Sequence, residues 1–363
     1  MEPIKFVVLL LFVGSASALL PGVDISFAEL FESAGVVYRN EQGQPTDIFQ
    51  IMEDNSINII RLRLFTSNEE QAQRDPYDYG NTLNLTLRLA RRIQTHNLQL
   101  MLDFHYSDRW ADPGHQTKPS AWDNLPFEQL KNTLYNYTRD SLLAFVEQGI
   151  TPRYVQIGNE VTNGMLWPDG YPGPDNDWTK FTTLLNAASQ AVRAVLKDQT
   201  KIIIHTTFST NWPSAKRFYD HMIGTVDFDI IGLSYYPQWH GRLSLLGPCL
   251  EQISRNYDKQ IFIAETSYRW TVDKYANDSL KNLTGFDETP QGQMGYAEYV
   301  GQILVNATNP NPKREPGIFW WGTEYMAQQR YKNLAGFELR SFFNSSGIAL
   351  PIVKAFGKYG RPK

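Results

Sequence analysis

Two glutamates stand at the ends of apolar runs, where an unpaired carboxylate is costly to bury. Glu160 closes "YVQIGNE" and Glu265 interrupts "QIFIAETSY". Other polar or aromatic residues sit at the ends of neighbouring runs. They are Arg61 and Arg63, Asp103 and His105, Asn159, Tyr235 and Tyr236, and Trp320 and Trp321. Glycoside hydrolysis needs two carboxyls. One, held protonated, donates to the leaving oxygen; the other, ionised, attacks the anomeric carbon or activates water. On this reading Glu160 is the acid, with Asn159 beside it to hold a sugar hydroxyl. Glu265 is the ionised partner, with Arg63 and Tyr236 expected to point at it and favour its charge. Either glutamate alone could simply reach solvent at a strand end. Their company of Arg, His, Tyr and Trp at one set of run ends argues for a site.

Other chemistries fit less well. Asp103 and His105, with Asp112 or His115 further on, could suggest a metal, but no second His lies at i+4 on a helix. Ser107 lacks the G-x-S-x-G elbow of a serine hydrolase. Cys249, the single cysteine, reads as packing and can form no intrachain disulfide.

The elements that must position these residues form a regular series. Eight apolar, β-rich runs occupy 23–26, 57–65, 98–106, 154–160, 201–208, 229–237, 260–268 and 317–322. Most are near-continuous, as strands buried on both faces of a parallel sheet are. Amphipathic stretches lie between them. "TDIFQIMEDNS" opens on a candidate Thr46 cap, and 82–97 carries Leu83, Leu87, Ala90 and Ile93 on one stripe. Longer examples start at 126, 178 and 289. Strand–helix alternation repeated eight times predicts a single (β/α)8 TIM barrel of the α/β class, with chemistry at the C-terminal ends of the strands. A doubly wound sheet has no G-x-G-x-x-G or P-loop to support it.

The chain has 363 residues, 20% of them charged and 13% aromatic, with net charge −4 and no basic block. Nucleic acid is therefore not an expected partner. "MEPIK", "FVVLLLFV" and "SASA" read as a signal peptide cleaved after Ala18, leaving 19–363 as the catalytic domain of a secreted, extracellular protein. The apolar run is too short to span a bilayer, so no membrane association is expected. Nothing points to an obligate oligomer, and a monomer is expected. N-x-S/T acceptors stand at Asn84, Asn136, Asn277, Asn282, Asn306 and Asn344, as a glycoprotein of the secretory route would carry.

Four segments carry a resemblance: "DFHYSDRWADPGHQTKPSAW", "VQIGNEVTNGMLWP", "DFDIIGLSYYPQWHG" and "IAETSY". Together they resemble glycoside hydrolase family 53, the secreted arabinogalactan endo-β-1,4-galactanases, from "GVDISF" to beyond "GIFWWGTEY". The resemblance implies a (β/α)8 barrel that cleaves β-1,4-galactan, the side chains of type I arabinogalactan in pectin, endo-wise and with retention through a covalent intermediate. It places the acid/base on Glu160, the nucleophile on Glu265, and Arg63, His105, Asn159, Tyr236 and Trp321 around the cleaved sugar. No cofactor is required. The chain departs from many fungal members after the last strand, where it reads "WWGTEYMAQQRYKNLAGFELRSFF" and resembles a bacterial-type branch. Some members of that branch hold a structural calcium, for which Asp273, Asp278, Asp287 and Glu288 are candidates without EF-hand spacing. A related retaining endo-glycanase on mannan or xylan, and a catalytically silent carbohydrate-binding barrel, are the alternative readings.

Overall fold

A computed structural model of the protein describes residues 19–273, 279–308, 314–327 and 336–358; the proposed signal segment, Asn277 and Asp278 lie outside them. Eight strands form: seven lie wholly within the expected runs, and the first overlaps its run, 23–26, only at Val23 and Asp24. They are β1 (Leu20–Asp24), β2 (Ile59–Leu64), β3 (Gln99–Phe104), β4 (Tyr154–Ile157), β5 (Lys201–Thr206), β6 (Ile230–Tyr235), β7 (Gln260–Thr266) and β8 (Gly317–Trp320). Every neighbouring pair is parallel, and β8 returns to pair with β1, closing the barrel in sequence order. The chain is thus the (β/α)8 barrel that the alternation predicts.

Side chains alternate along a strand, and here the alternation sorts two cores. Ile60, Leu62 and Leu64 face outward into the large core between strands and helices. Ile59, Met101, Tyr154, Ile203, Ile230, Phe262, Ala264 and Phe319 fill the lower barrel interior. Continuing the same inward parity towards the C-terminal ends reaches Asp24, Arg61, Asp103, Gln156, His205 and Ser234, all buried. The apolar floor therefore gives way, one layer up, to a polar ceiling.

β7 breaks the rule. Its odd-numbered residues Ile261 and Ile263 belong to the outer core, so strict alternation would turn Glu265 outward as well. The register with β6 slips at this point: Leu233 pairs with Ile263 but Ser234 pairs with Glu265. The extra residue, Ala264, swings Glu265 into the barrel, as a bulge does beside many active sites.

The expected helices form, with one correction at a cap, two long additions and several short ones. Asp47, not Thr46, caps the helix Ile48–Asp54, its carboxylate accepting from Phe49 N at 2.7 Å. Thr46 is turned back, its hydroxyl donating to Gln44 O. Thr82 caps Leu83–Thr95, where Leu87, Ala90 and Ile93 are buried and Leu83 only partly so. Helices Trp212–Met222 and Leu246–Asn256 are additional. Their buried residues, Ala215, Phe218, Tyr219 and Met222 in one and Leu246, Cys249, Leu250 and Ile253 in the other, recur at helical spacing. Proline stands in the first turn of each, where a helix tolerates it, so that spacing was there to be read. No helix among the described residues is long and apolar enough to cross a membrane.

Candidate active site

Arg61 organises the polar ceiling. Its fully buried guanidinium lies 2.8 Å from Asp24 Oδ2 on β1, 2.8 Å from Asp103 Oδ2 on β3 and 2.7 Å from Glu265 Oε1 on β7. It also donates to Asn159 Oδ1 at 3.0 Å. An arginine so enclosed is tolerable only because carboxylates surround it. Arg63, expected beside Glu265, instead pairs with Asp24 Oδ1 at 3.1 Å and stacks between Phe27 and Trp110. Arg61 thus takes the place assigned to Arg63. Both share one strand face, and only depth in the barrel separates them.

Glu265 is engaged at both oxygens, since Tyr236 Oη donates to Oε2 at 2.8 Å. Burial raises its pKa, while Arg61 and the Tyr236 hydroxyl oppose that rise and favour the carboxylate. Burial also pushes the Tyr236 hydroxyl well above its ordinary range, so it stays a donor.

Glu160 lies in a different setting. β4 ends at Ile157, and Gly158 (φ +95°) and Glu160 (φ +45°) turn the chain sharply into the cavity. Oε1 of Glu160 sits 2.5 Å from Ser234 Oγ on β6, which in turn lies 2.8 Å from His205 Nε2 on β5. Burial, and then the charge of Glu265, push the Glu160 carboxyl up to about 8. It therefore holds its proton at neutral pH while Glu265, against Arg61, is the one of the pair to ionise first.

His105 supports rather than reacts. Its Nδ1 accepts from Ala111 N–H at 3.0 Å, and its Nε2 lies 3.0 Å from Asp103. Asn159 gives its amide N–H to Ala111 O at 2.7 Å. Both thereby pin the loop after β3 against the cavity. His115 pairs with Asp112 on the surface, and among the described residues no group of three or more His, Cys, Asp or Glu could hold a metal. The three calcium candidates within the described residues, Asp273, Asp287 and Glu288, face protein cations. Arg269 lies 2.8 Å from Glu288 and 3.7 Å from Asp273, and Lys281 lies 2.7 Å from Asp287.

Arg63, His105, Asn159, Glu160, Tyr236, Glu265 and Trp321 all line one cavity of about 310 Å³. Its walls add residues that the sequence reading passed over: Tyr77, Trp110, Trp239 and Phe337. Trp110 and Trp239 lie inside quoted segments, and an aromatic next to a strand end is the signal that could have found them. Trp239 is 63% exposed. Such rings offer apolar faces to sugar C–H groups. Ser234 and His205 carried no such signal; one is small and mid-run, the other an inward position in an apolar strand.

Two carboxyls of opposite setting, facing one aromatic-walled cavity at the C-terminal mouth of a (β/α)8 barrel, define a glycoside hydrolase. The chain belongs to glycosyl hydrolase family 53, whose sequence profile matches residues 20–356. It is 33% identical over 318 residues to the endo-β-1,4-galactanase of Bacillus subtilis, covering 83% of this chain and 69% of that one. With the arabinogalactan endo-β-1,4-galactanase A of Aspergillus niger it shares 31% over 315 residues, 85% of each chain. The family 53 catalytic domain of Ignisphaera aggregans matches with a TM-score of 0.84 and 34% identity, covering 94% of this chain and 96% of that one.

Proposed function

We propose that the protein is a secreted, retaining endo-β-1,4-galactanase acting on β-1,4-galactan, the side chains of type I arabinogalactan. The observation that carries this reading is the unequal pair: Glu265 held by Arg61 and Tyr236, Glu160 protonated beside Ser234. Glu265 attacks the anomeric carbon as Glu160 gives its proton to the departing oxygen, forming a glycosyl ester on Glu265. Esterification cancels the Glu265 charge, one of the two main causes of the raised Glu160 pKa. Glu160, which has given up its proton and now stays ionised at neutral pH, acts as the base, removes a proton from water, and the water opens the ester with net retention. Arg63 and Trp321 on the cavity wall are the proposed contacts to the cleaved sugar.

Endo action is supported by a second hollow of about 270 Å³ on the Glu160 side, lined by Thr162, Asn163, Tyr171, Trp178 and Arg217 among others. It shares a rim with the main cavity. Thr162 Oγ1 lies 3.0 Å from Thr207 Oγ1, and Asn163 Nδ2 donates to Pro113 O at 2.9 Å. The sugars beyond the departing oxygen have room to continue there. Secretion rests on the N-terminal signal pattern, and glycosylation on the N-x-S/T acceptors.

The test is a reducing-end assay on debranched galactan, run beside mannan and xylan, with Glu265→Gln and Glu160→Ala. Wild type should release reducing ends from galactan, with the β-anomer appearing first by proton NMR. Glu265→Gln should lose at least about a thousandfold of that turnover, as removal of a nucleophile does. Glu160→Ala should keep activity only on activated aryl glycosides. First release of the α-anomer would rule out retention. Preference for mannan or xylan would reassign the substrate. Binding of galactan without reducing ends between pH 4 and 8 would make the barrel a binding protein.

A further inference from the structure

Beneath Glu160 lies a short chain of buried, uncharged polar groups that the mechanism above does not use. Glu160 Oε1 is 2.5 Å from Ser234 Oγ, Ser234 Oγ is 2.8 Å from His205 Nε2, and His205 Nδ1 is 3.1 Å from Asn159 Oδ1. The backbone N–H of Glu160 also points at His205 Nδ1, at 3.4 Å. Ser234 and His205 are completely buried. Burial, and then Arg61, push the His205 pKa well below its ordinary value, so the ring is neutral and carries one hydrogen.

Counting hydrogens along this chain allows two arrangements. The orientation of Asn159 is fixed by its donation to Ala111 O, so Oδ1 is an acceptor facing the ring. If His205 carries its hydrogen on Nδ1, that hydrogen goes to Asn159 Oδ1 and Nε2 is bare. Nε2 must then take the Ser234 hydrogen, and the contact between Ser234 Oγ and Glu160 Oε1 must be filled by the hydrogen of a protonated Glu160. If His205 carries its hydrogen on Nε2, the order reverses. Nδ1 accepts from Glu160 N–H, Nε2–H donates to Ser234, and Ser234 donates to the Glu160 carboxylate. Each arrangement gives both ring nitrogens a partner and leaves one contact at Nδ1 unmatched, the Glu160 N–H in the first and Asn159 Oδ1 in the second.

We propose that Ser234 and His205 are a positioning relay that follows the charge of Glu160, presenting Oε1 with an acceptor while Glu160 is an acid and with a donor once it is a carboxylate. The relay rests on Glu160 being the acid/base. One net proton leaves the chain in the first half-reaction, to the departing oxygen, and one returns from water in the second. Within the chain, the Ser234 hydroxyl turns round and the His205 hydrogen moves from one ring nitrogen to the other. No oxidant or further reactant is involved. Because the ring stays neutral, it adjusts Glu160 without fixing it as the anion of an ion pair, as a charged histidine would. The charged or titratable groups facing Glu160 are Glu265, Asp112, Arg61 and Tyr236; those facing His205 are Arg61, Asp103, His105 and His240.

A hydroxyl donating to a carboxylate is stronger than one accepting from a carboxylic acid. Loss of the relay should therefore harm the half-reaction that needs Glu160 as a base. Ser234→Ala is expected to move the basic limb of kcat/KM upward by about one pH unit. On an activated aryl glycoside, whose second step limits turnover, kcat should fall about tenfold and KM should fall with it as the intermediate accumulates. A purely structural defect would lower kcat without moving the limb or lowering KM. Should Ser234→Ala misfold, wild-type enzyme labelled with ¹⁵N-histidine gives an independent reading. The hydrogen-bearing nitrogen of His205 should change as pH rises through the ionisation of Glu160. A basic limb that stays put or moves down, or a His205 tautomer fixed across that range, overturns the relay. Glu160→Ala separates the two levels. If it leaves turnover and the basic limb intact, the assignment of Glu160 fails. If it behaves as an acid/base variant while Ser234→Ala is silent, only the relay fails.

Discussion

Glu160 and Glu265 are chemically identical side chains, and their surroundings alone divide the work. Glu265 faces a guanidinium at 2.7 Å and a phenol at 2.8 Å; Glu160 faces a serine, and its nearest charge effect is that of Glu265 itself. The expected pH profile follows with a definite sign. Activity should fall above about pH 8 as Glu160 loses its proton, and fall at low pH as Glu265 gains one. If Glu265 is trapped as a fluorosugar ester, the Glu160 pKa read by carbon NMR should drop below about 8; an unchanged value would mean that the two carboxyls are not coupled. At this scale the sequence was readable where a residue broke its local pattern. A carboxylate or arginine inside an apolar run is conspicuous because its burial is costly. The exchange of Arg61 for Arg63 was not readable, since both share a face. Nor were Ser234 and His205, whose importance lies in what they touch.

Strands and turns decide where those side chains point. The eight strands were legible because runs buried on both faces need continuous apolar residues. The β7 bulge was not: a period-two reading sends Glu265 outward with Ile261 and Ile263, and only the slip at Ala264 brings it in. The end of β4 is equally local. Gly158 adopts φ +95°, and a Cβ there would lie 2.6 Å from Val161 Cγ1. A substitution would have to relax the left-handed turn that carries Asn159 and Glu160 to the cavity. Gly158→Ala is thus expected to cost about 1–3 kcal/mol of stability and lower kcat at least tenfold, with the barrel's circular dichroism retained. Wild-type kcat in that variant would show that the turn does not position Glu160.

The molecule as a whole carries a further buried carboxyl that the chemistry leaves idle. Glu324 is completely buried, and burial followed by the Asp24 charge pushes it up to about 8. Oε1 accepts from Phe27 N at 2.9 Å, while Oε2 has no hydrogen-bond partner among the described residues. A carboxyl protonated only when folded stabilises the fold fully below its unfolded value near 4.5, and that contribution is lost as pH rises through about 8. Glu324→Gln removes the dependence. Its Tm relative to wild type should rise by on the order of 5 °C between pH 5 and pH 8. An offset equal at both pH values would show that Glu324 is ionised in the native protein.

The partners of Arg61 come from β1, β3 and β7, and the two reactive carboxyls from β4 and β7. Cutting the chain between β4 and β5 would leave Asp24, Arg61, Asp103 and Glu160 on one fragment, and His205, Ser234, Tyr236 and Glu265 on the other. Neither piece would own a working pair, and the first would hold an arginine missing one of its three counter-ions. Turnover therefore belongs to the ring and to neither arc. Sugar release from two such fragments would serve as a built-in reporter of their reunion.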